Sequence, residues 1–206
     1  MNGNFRCVAI AWLMSVGVGC GSAPIRYYTL TPPLAKTSPP SEKSLAIDVR
    51  VVHIPPQLNR AGLMLRTGPA QVVLLENERW ASPVRDEIKD ALGVELQRRL
   101  PTSGFDPAYT KLTLDIDVQE FEAELGQYAL LQASWTATLS VSGRRSPDAR
   151  AITCIFRADE TIGPGYAAVV EAYQRETAAL ADAIAAVLAI PARGIGAPPQ
   201  TLTECH

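Results

Sequence analysis

Residues 129–141 read ALLQASWTATLSV and alternate between apolar and polar side chains almost without interruption. The apolar face carries Leu131, Ala133, Trp135, Ala137, Leu139 and Val141, and the polar face carries Gln132, Ser134, Thr136, Thr138 and Ser140. A period of two residues is typical of a β-strand with one buried face. We therefore predict a half-buried strand here, with Trp135 in the core of the domain.

The neighbouring segments predict two further antiparallel strands. Upstream, apolar residues alternate through 112–118 until Phe121 breaks the parity, which indicates a β-bulge. Downstream, the turn-forming segment 143–149 (GRRSPDA) leads into 151–158 (AITCIFRA), whose alternation places Cys154 toward the core as a small hydrophobic residue. The three strands together predict a meander.

Two amphipathic helices flank this meander in the sequence. Ser82 and Pro83 are typical of a helix start, with serine as the N-cap and proline in the first helical position. Apolar residues then recur every four positions from Val84 to Leu100 and form one stripe. A longer alanine-rich helix follows Gly-Pro-Gly at 163–165 and extends to about Ile190.

The N-terminal half adds shorter strands. Residues 45–51 (LAIDVRV) alternate, 63–66 and 71–75 predict a hairpin, and 25–31 (IRYYTLT) predicts a short edge strand. We predict an α/β fold with a single mixed, largely antiparallel β-sheet and both main helices packed on one face. The predicted organisation is a signal peptide (1–19), an acylated N-terminus and tether (20–44), one domain (45–191) and a loose C-terminal tail (192–206).

The N-terminal segment has the order of a secretory signal. Residues 1–6 contain one arginine, and 7–18 (CVAIAWLMSVGV) contain no charge. A helix of these residues would be about 18 Å long, against roughly 30 Å of bilayer hydrocarbon, so it is too short to remain as a membrane anchor.

Cys20 follows after Gly19, in a context that resembles the lipobox of bacterial lipoproteins, although Gly17 stands where leucine is usual. The resemblance implies that the Cys20 thiol takes a diacylglyceryl group and that cleavage frees its amino group for a third acyl chain. Three chains would make a lasting anchor, since two membrane signals already suffice. Gly21, rather than aspartate, after the cysteine implies the outer membrane, facing the periplasm. The alternative is an ordinary secretory signal with Cys20 as a structural cysteine.

The remaining cysteines of the mature chain are Cys154 and Cys205. This content is low for a secreted protein built on disulfides. Because Cys205 falls in the predicted loose tail, we expect two free thiols rather than a bond between them.

Composition and motifs give no indication of catalysis. The 206 residues carry a net charge of −2, which offers no electrostatic basis for binding nucleic acid. His53 and His206 lack partners at metal-ligand spacing, and the spacing of Glu120, Glu122 and Glu124 predicts a solvated strand face. Neither a nucleophile elbow nor a phosphate-binding loop is present. We expect no enzyme activity, cofactor or metal.

Several segments, in order, resemble the PqiC/YmbA-like ABC-type transport auxiliary lipoproteins, which are partners of MCE-type (mammalian cell entry) lipid transport systems. The resemblance covers most of the mature chain. Its segments are 27–30 (YYTL), 51–66 (VVHIPPQLNRAGLMLR), 78–84 (ERWASPV) with the leucine-rich helix after it, 118–122 (VQEFE), 133–135 (ASW) and the alanine-rich last helix.

The resemblance implies a small α/β domain that is not an enzyme and that serves a transporter whose ATPase, permease and MCE subunits are other polypeptides. The expected partners are an MCE-domain subunit and the membrane that holds Cys20, with homo-oligomers left open. The competing hypothesis is a structural or ligand-binding envelope lipoprotein unrelated to transport.

Overall fold

The computed structural model describes residues 23–31, 46–100, 111–140, 151–189 and 202–205. Eight strands and two helices are formed within these ranges. They are β1 (Arg26–Tyr28), β2 (Ala46–His53), β3 (Gly62–Gly68), β4 (Gln71–Trp80), α1 (Val84–Arg99), β5 (Lys111–Glu124), β6 (Tyr128–Ser140), β7 (Ala151–Thr161), α2 (Tyr166–Ala189) and β8 (Leu202–Cys205). The signal peptide, Cys20 and the tether after residue 31 lie outside these residues, as do 192–201 and 206 of the predicted tail.

All eight strands belong to one mixed sheet. Its main path runs β1-β4-β3-β5-β6-β7-β8, and β5, β6 and β7 form the predicted antiparallel meander. The first half of β5 pairs with β2 in parallel, while its last residue, Glu124, pairs with Arg66 of β3. The bulge indicated by Phe121 is confirmed, because the register between β5 and β6 shifts between Val118 and Glu120.

The core lies between one face of this sheet and the two helices. Trp135 and Phe156 are buried, as are the apolar positions of β5 from Leu112 to Val118. The two helices contact each other. Helix α1 packs on β2, and α2 packs on β6 and β7. The opposite face of the sheet is polar and carries cross-strand pairs such as Arg50–Asp115. The prediction of an α/β sheet covered by helices on one face is therefore confirmed.

Helix α1 begins one residue later than predicted. Pro83, not Ser82, occupies the N-cap position and supplies no capping side chain, while the Arg85 N–H in the first turn donates to Asn59 Oδ1 at 3.4 Å. Instead, the backbone N–H and hydroxyl of Ser82 donate hydrogen bonds of 3.0 and 2.8 Å to Glu87, one turn further on. Glu87 thereby holds Ser82 just before the helix, and the serine does not provide the predicted cap. The predicted apolar stripe is confirmed, since Val84, Ile88 and the later members of the series are all buried.

The C-terminal residues contradict two predictions. Residues 202–205, expected to be part of a loose tail, form β8, which pairs antiparallel with β7. Cys154 lies directly opposite Cys205 in this pair, and the two form a disulfide across a Cα–Cα distance of 4.0 Å. The expectation of two free thiols was therefore wrong, because strand pairing brings together cysteines 51 positions apart. The predicted burial of Cys154 is confirmed.

Candidate functional site

The carboxylate of Glu78 holds β1 against β4. Arg26 donates from Nε to both carboxylate oxygens, at 2.9 and 3.0 Å, and its terminal nitrogen also contacts Glu78. The Tyr28 hydroxyl donates a further bond of 2.8 Å. Although Glu78 is buried, the hydrogen bond from Arg26 lowers the pKa of its carboxyl below the usual value. The Arg26 guanidinium also lies over the ring of Tyr166 in the first turn of α2, 5.9 Å from its centroid.

A second buried carboxylate, Glu87 of α1, holds the residues that follow β1. It accepts a hydrogen bond of 2.8 Å from the Thr29 hydroxyl and another of 2.8 Å from the backbone N–H of Leu30. The Gln174 side chain of α2 donates to the Thr29 carbonyl at 2.9 Å. Residues 26–30 are therefore tied to β4, α1 and α2 together, and this segment begins six residues after Cys20.

Aromatic side chains fill the core next to this junction. Phe121 and Tyr173 stack with ring centroids 3.8 Å apart, and Trp80 lies 6.2 Å from each of them. The Tyr173 hydroxyl has no hydrogen-bond partner, and burial raises its pKa well above the ordinary value. The cavity that these three rings help to line measures about 10 Å³, which is room for about one water molecule and far too little for an acyl chain.

Glu176 of α2 is the most perturbed carboxyl among the described residues. It is 3% exposed, and neither of its oxygens has a hydrogen-bond partner. Burial, and then the nearby charges of Glu160 and Asp159, raise its pKa to about 9, with Arg175 opposing them. The side chain is therefore neutral at pH 7. In the described part of the chain, it belongs to no group of three side chains that could hold a metal ion.

The three glutamates of β5 lie on the polar face of the sheet, as predicted. Glu120 forms an ion pair with Arg157 at 3.0 Å, and Glu122 accepts hydrogen bonds from Arg66 and from the Tyr128 hydroxyl. The hydrogen bond from Arg66 lowers the pKa of Glu122, so this carboxylate is ionised at neutral pH. These contacts give Glu120 and Glu122 a structural role on the polar strand face.

The remaining candidates from the sequence concern metal binding and membrane attachment. His53 is exposed at the end of β2. In the described ranges, no three His, Cys, Asp or Glu side chains are grouped so that they could hold a metal ion. Neither helix there has the length and apolar character needed to cross a bilayer. Cys20, the predicted acylation site, lies three residues before the first described residue, Ala23.

Comparison with known proteins gives a consistent identification. A family model described as "ABC-type transport auxiliary lipoprotein component" matches residues 28–185, which takes in all of the described elements from β2 to α1, β5 to β7, and most of α2. The intermembrane transport lipoproteins PqiC of Escherichia coli K12 and of Shigella flexneri are each 27% identical to this chain. The matched region covers 60% of this chain and 72% of each relative.

Two solved structures have a similar fold. An uncharacterised protein matches with a TM-score of 0.60 and 20% sequence identity, over 81% of this chain and 99% of its own. A protein from Xanthomonas campestris matches with a TM-score of 0.50 and 16% identity, over 79% and 94% of the two chains. At these identities the similarity establishes the fold alone.

Proposed function

Because this chain belongs to the ABC-type transport auxiliary lipoprotein family, we propose that it is the lipid-anchored auxiliary subunit of an ABC/MCE-type lipid transport system. In this proposal it sits at the periplasmic face of the outer membrane, docks the transporter there and supports envelope integrity. The observation that carries the proposal is the family match, which extends over almost the whole folded domain. The curated relatives in that family are named as transport lipoproteins and not as enzymes.

The way the N-terminus is held supports an anchoring role. Residues 26–30 are bound by Glu78, Glu87 and Gln174, so the domain is joined to the proposed acylated Cys20 through only a few intervening residues. A short connection of this kind would keep the domain close to its membrane. It would also let the domain resist a load from a partner that spans the periplasm.

The disulfide supports a location outside the cytoplasm. Disulfides form and persist in oxidising compartments, of which the bacterial periplasm is one. The bond between Cys154 and Cys205 links β8, at the edge of the sheet, to β7. Export by the N-terminal signal would bring the chain into that compartment, and Gly21 after Cys20 favours transfer to the outer membrane.

The proposed partner is an MCE-domain subunit, with the permease and ATPase elsewhere in the complex. The test is crosslinking in intact cells that express the tagged full-length protein, followed by identification of the crosslinked proteins from the membrane fraction. We expect an MCE-domain subunit among them. Recovery of this chain alone, or of cell-wall proteins only, would instead support a structural envelope lipoprotein unrelated to transport.

The anchor is tested separately by fractionation. We expect the Cys20→Ser variant to fold normally and to leave the membrane fraction, because the acyl chains supply its attachment. Circular dichroism and retention of the disulfide provide the folding control. Wild-type protein released by a high-salt wash would show that charge, and not covalent lipid, holds it at the membrane.

A further inference from the structure

Four exposed large apolar side chains lie together at one end of the sheet. Seven such side chains occur in the described ranges. Ile155 is on β7, and Ile25 and Tyr27 belong to the β1 segment, where Tyr27 is level with Arg79 and Gly62 at the far end of the β3–β4 pair. The other four form what we call the apolar rim. Its members are Val72, Val73, Leu74 and Leu125.

Strand pairing explains why these residues share one end. Glu124, Arg66 and Val72 lie in one row across β5, β3 and β4. The turn after Glu124, which carries Leu125, and the turn between β3 and β4 therefore project from the same end of the sheet. β1 runs parallel to β4, so its amino end also points in that direction, from a start at Arg26 that is level with Glu78.

The rim carries little charge. Residues 67–75 (TGPAQVVLL), which include the β3–β4 turn, contain no charged side chain, and neither do 125–127 (LGQ). Arg66, the cation that pairs with Val72, is bound to Glu122 and to the backbone carbonyl of Pro69. Val72 is 54% exposed and Leu74 is 46% exposed. Apolar side chains without charges around them are suited to the boundary between lipid headgroups and acyl chains.

The position of Cys20 brings this surface to a membrane. Three peptide units separate Cys20 from Ala23, and they span at most about 11 Å at ~3.8 Å per unit. From Arg26 back to Ala23 the chain runs from β1 toward the rim end, and β1 is fixed to β4 through Glu78. An interfacial protein surface typically enters the headgroup boundary by about 5–10 Å. Acyl chains on Cys20 would thus hold the rim within reach of the bilayer.

We propose that the apolar rim inserts into the headgroup region of the same lipid bilayer that holds Cys20. This inference rests on the proposed acylation and extends it, because the domain then has a fixed orientation on the membrane. The rim end faces the lipid, and the opposite end of the sheet is turned toward the periplasm. The lipid surface is favoured over a protein partner because the length of chain to Cys20 places a bilayer beside the rim.

The test measures the environment of the rim in the acylated full-length mature protein. Val73→Cys is labelled with an environment-sensitive nitrobenzoxadiazole dye, because acylation and the Cys154–Cys205 disulfide leave no other thiol to react. Ile155→Cys, an exposed apolar position outside the rim, provides the matched control. Both proteins are reconstituted into phosphatidylethanolamine and phosphatidylglycerol vesicles, with and without lipids that carry a nitroxide quencher in the headgroup region.

We expect blue-shifted emission and strong nitroxide quenching at position 73, and water-like emission at position 155. Water-like emission at both positions in vesicle-bound protein would overturn the proposal. Blue-shifted emission at 73 that nitroxide lipids do not quench would also overturn it, because a second copy or another protein would then cover the rim.

Failure of the anchor is distinguished by mass spectrometry of the purified chain. An unmodified Cys20 would overturn the acylation but not the rim. In that case the Cys20→Ser chain labelled at position 73 is titrated with the same vesicles at millimolar lipid. A blue shift supports the rim if adding Leu74→Ser lowers the lipid affinity, measured from that shift, about tenfold. Absence of any shift overturns it.

Discussion

Replacing Glu87 by alanine is expected to loosen the junction between the anchor-bearing segment and the domain. Its carboxylate, 4% exposed, accepts hydrogen bonds from four donors: the backbone N–H groups of Leu30 and Ser82 and the hydroxyls of Thr29 and Ser82. The alanine variant leaves the buried Leu30 N–H without an acceptor. The two hydroxyls can turn toward water, so they contribute less.

The expected loss of stability follows from these contacts. A hydrogen bond to a charged group contributes about 1.5–3 kcal/mol, and a buried donor without a partner costs about 1–3 kcal/mol. With two backbone donors dominating, Glu87→Ala should lower the free energy of unfolding by roughly 3–4 kcal/mol. For a chain of this size that corresponds to a fall in Tm of about 10 °C.

Asp86→Ala is the matched control. Asp86 is the adjacent acidic residue in the first turn of α1, and its side chain is exposed. Its replacement removes the same charge near the helix N-terminus, which is worth about 0.3–1 kcal/mol. Urea unfolding compares the two variants, and amide hydrogen exchange at Leu30 reports the junction directly. If both variants lose similar stability and Leu30 stays protected, the account of Glu87 is refuted.

Three further predictions concern the core and the disulfide. The pKa of Glu176 is about 9 in the folded protein, against 4.5 without burial, so the folded state binds an extra proton between these two pH values. Wild-type stability should therefore fall by up to ~1.4 kcal/mol per pH unit as the pH rises from 4.5 to about 9. Glu176→Gln should remove this loss of stability. Parallel stability–pH curves for wild type and variant would contradict this. Cys205→Ser should lower stability by up to ~4 kcal/mol, as estimated for a cross-link 51 residues apart, and urea unfolding with and without reductant checks it. Trp135→Ala should cost about 3–5 kcal/mol because the side chain is fully buried, and a change below 1 kcal/mol in urea unfolding would place it outside the core.

Much of the fold follows from periodicity in the sequence. The strict alternation around Trp135 predicts β6 because a buried sheet face requires every second side chain to be apolar. The four-residue spacing from Val84 to Leu100 predicts α1 in the same way. Even the bulge near Phe121 is visible as a change of parity. These features are local, so the sequence alone carries them.

The features that the sequence analysis missed depend on contacts between distant segments. The disulfide between Cys154 and Cys205 could be predicted only with the knowledge that the four-residue β8 pairs with β7. The roles of Glu78 and Glu87 required knowing that β1 lies beside them, since an acidic residue near a helix start also suits the helix dipole. Glu176 lies within an alanine-rich helix, where a charged residue ordinarily marks the solvated face. Its burial follows from how α2 packs on the sheet.

The rim also depends on topology. Val72 and Leu125 are more than 50 positions apart, and only the pairing of β3 with both β4 and β5 brings their strand ends together. A signal was present in the sequence, because the uncharged stretch 67–75 is unusually apolar for a hairpin turn. The stretch predicts the turn and second strand of a hairpin, and a hairpin sequence does not indicate what lies beyond it.

The most direct test of a membrane-anchored transport subunit is co-purification from detergent-solubilised envelopes. Tagged full-length protein is compared with its Cys20→Ser variant, and the recovered proteins are quantified by mass spectrometry. We predict that the wild type recovers an MCE-domain subunit from the outer-membrane fraction, and that the variant loses the outer-membrane location and most of that recovery. Wild-type protein that is acylated and folded but recovers no transporter subunit would contradict the proposed function.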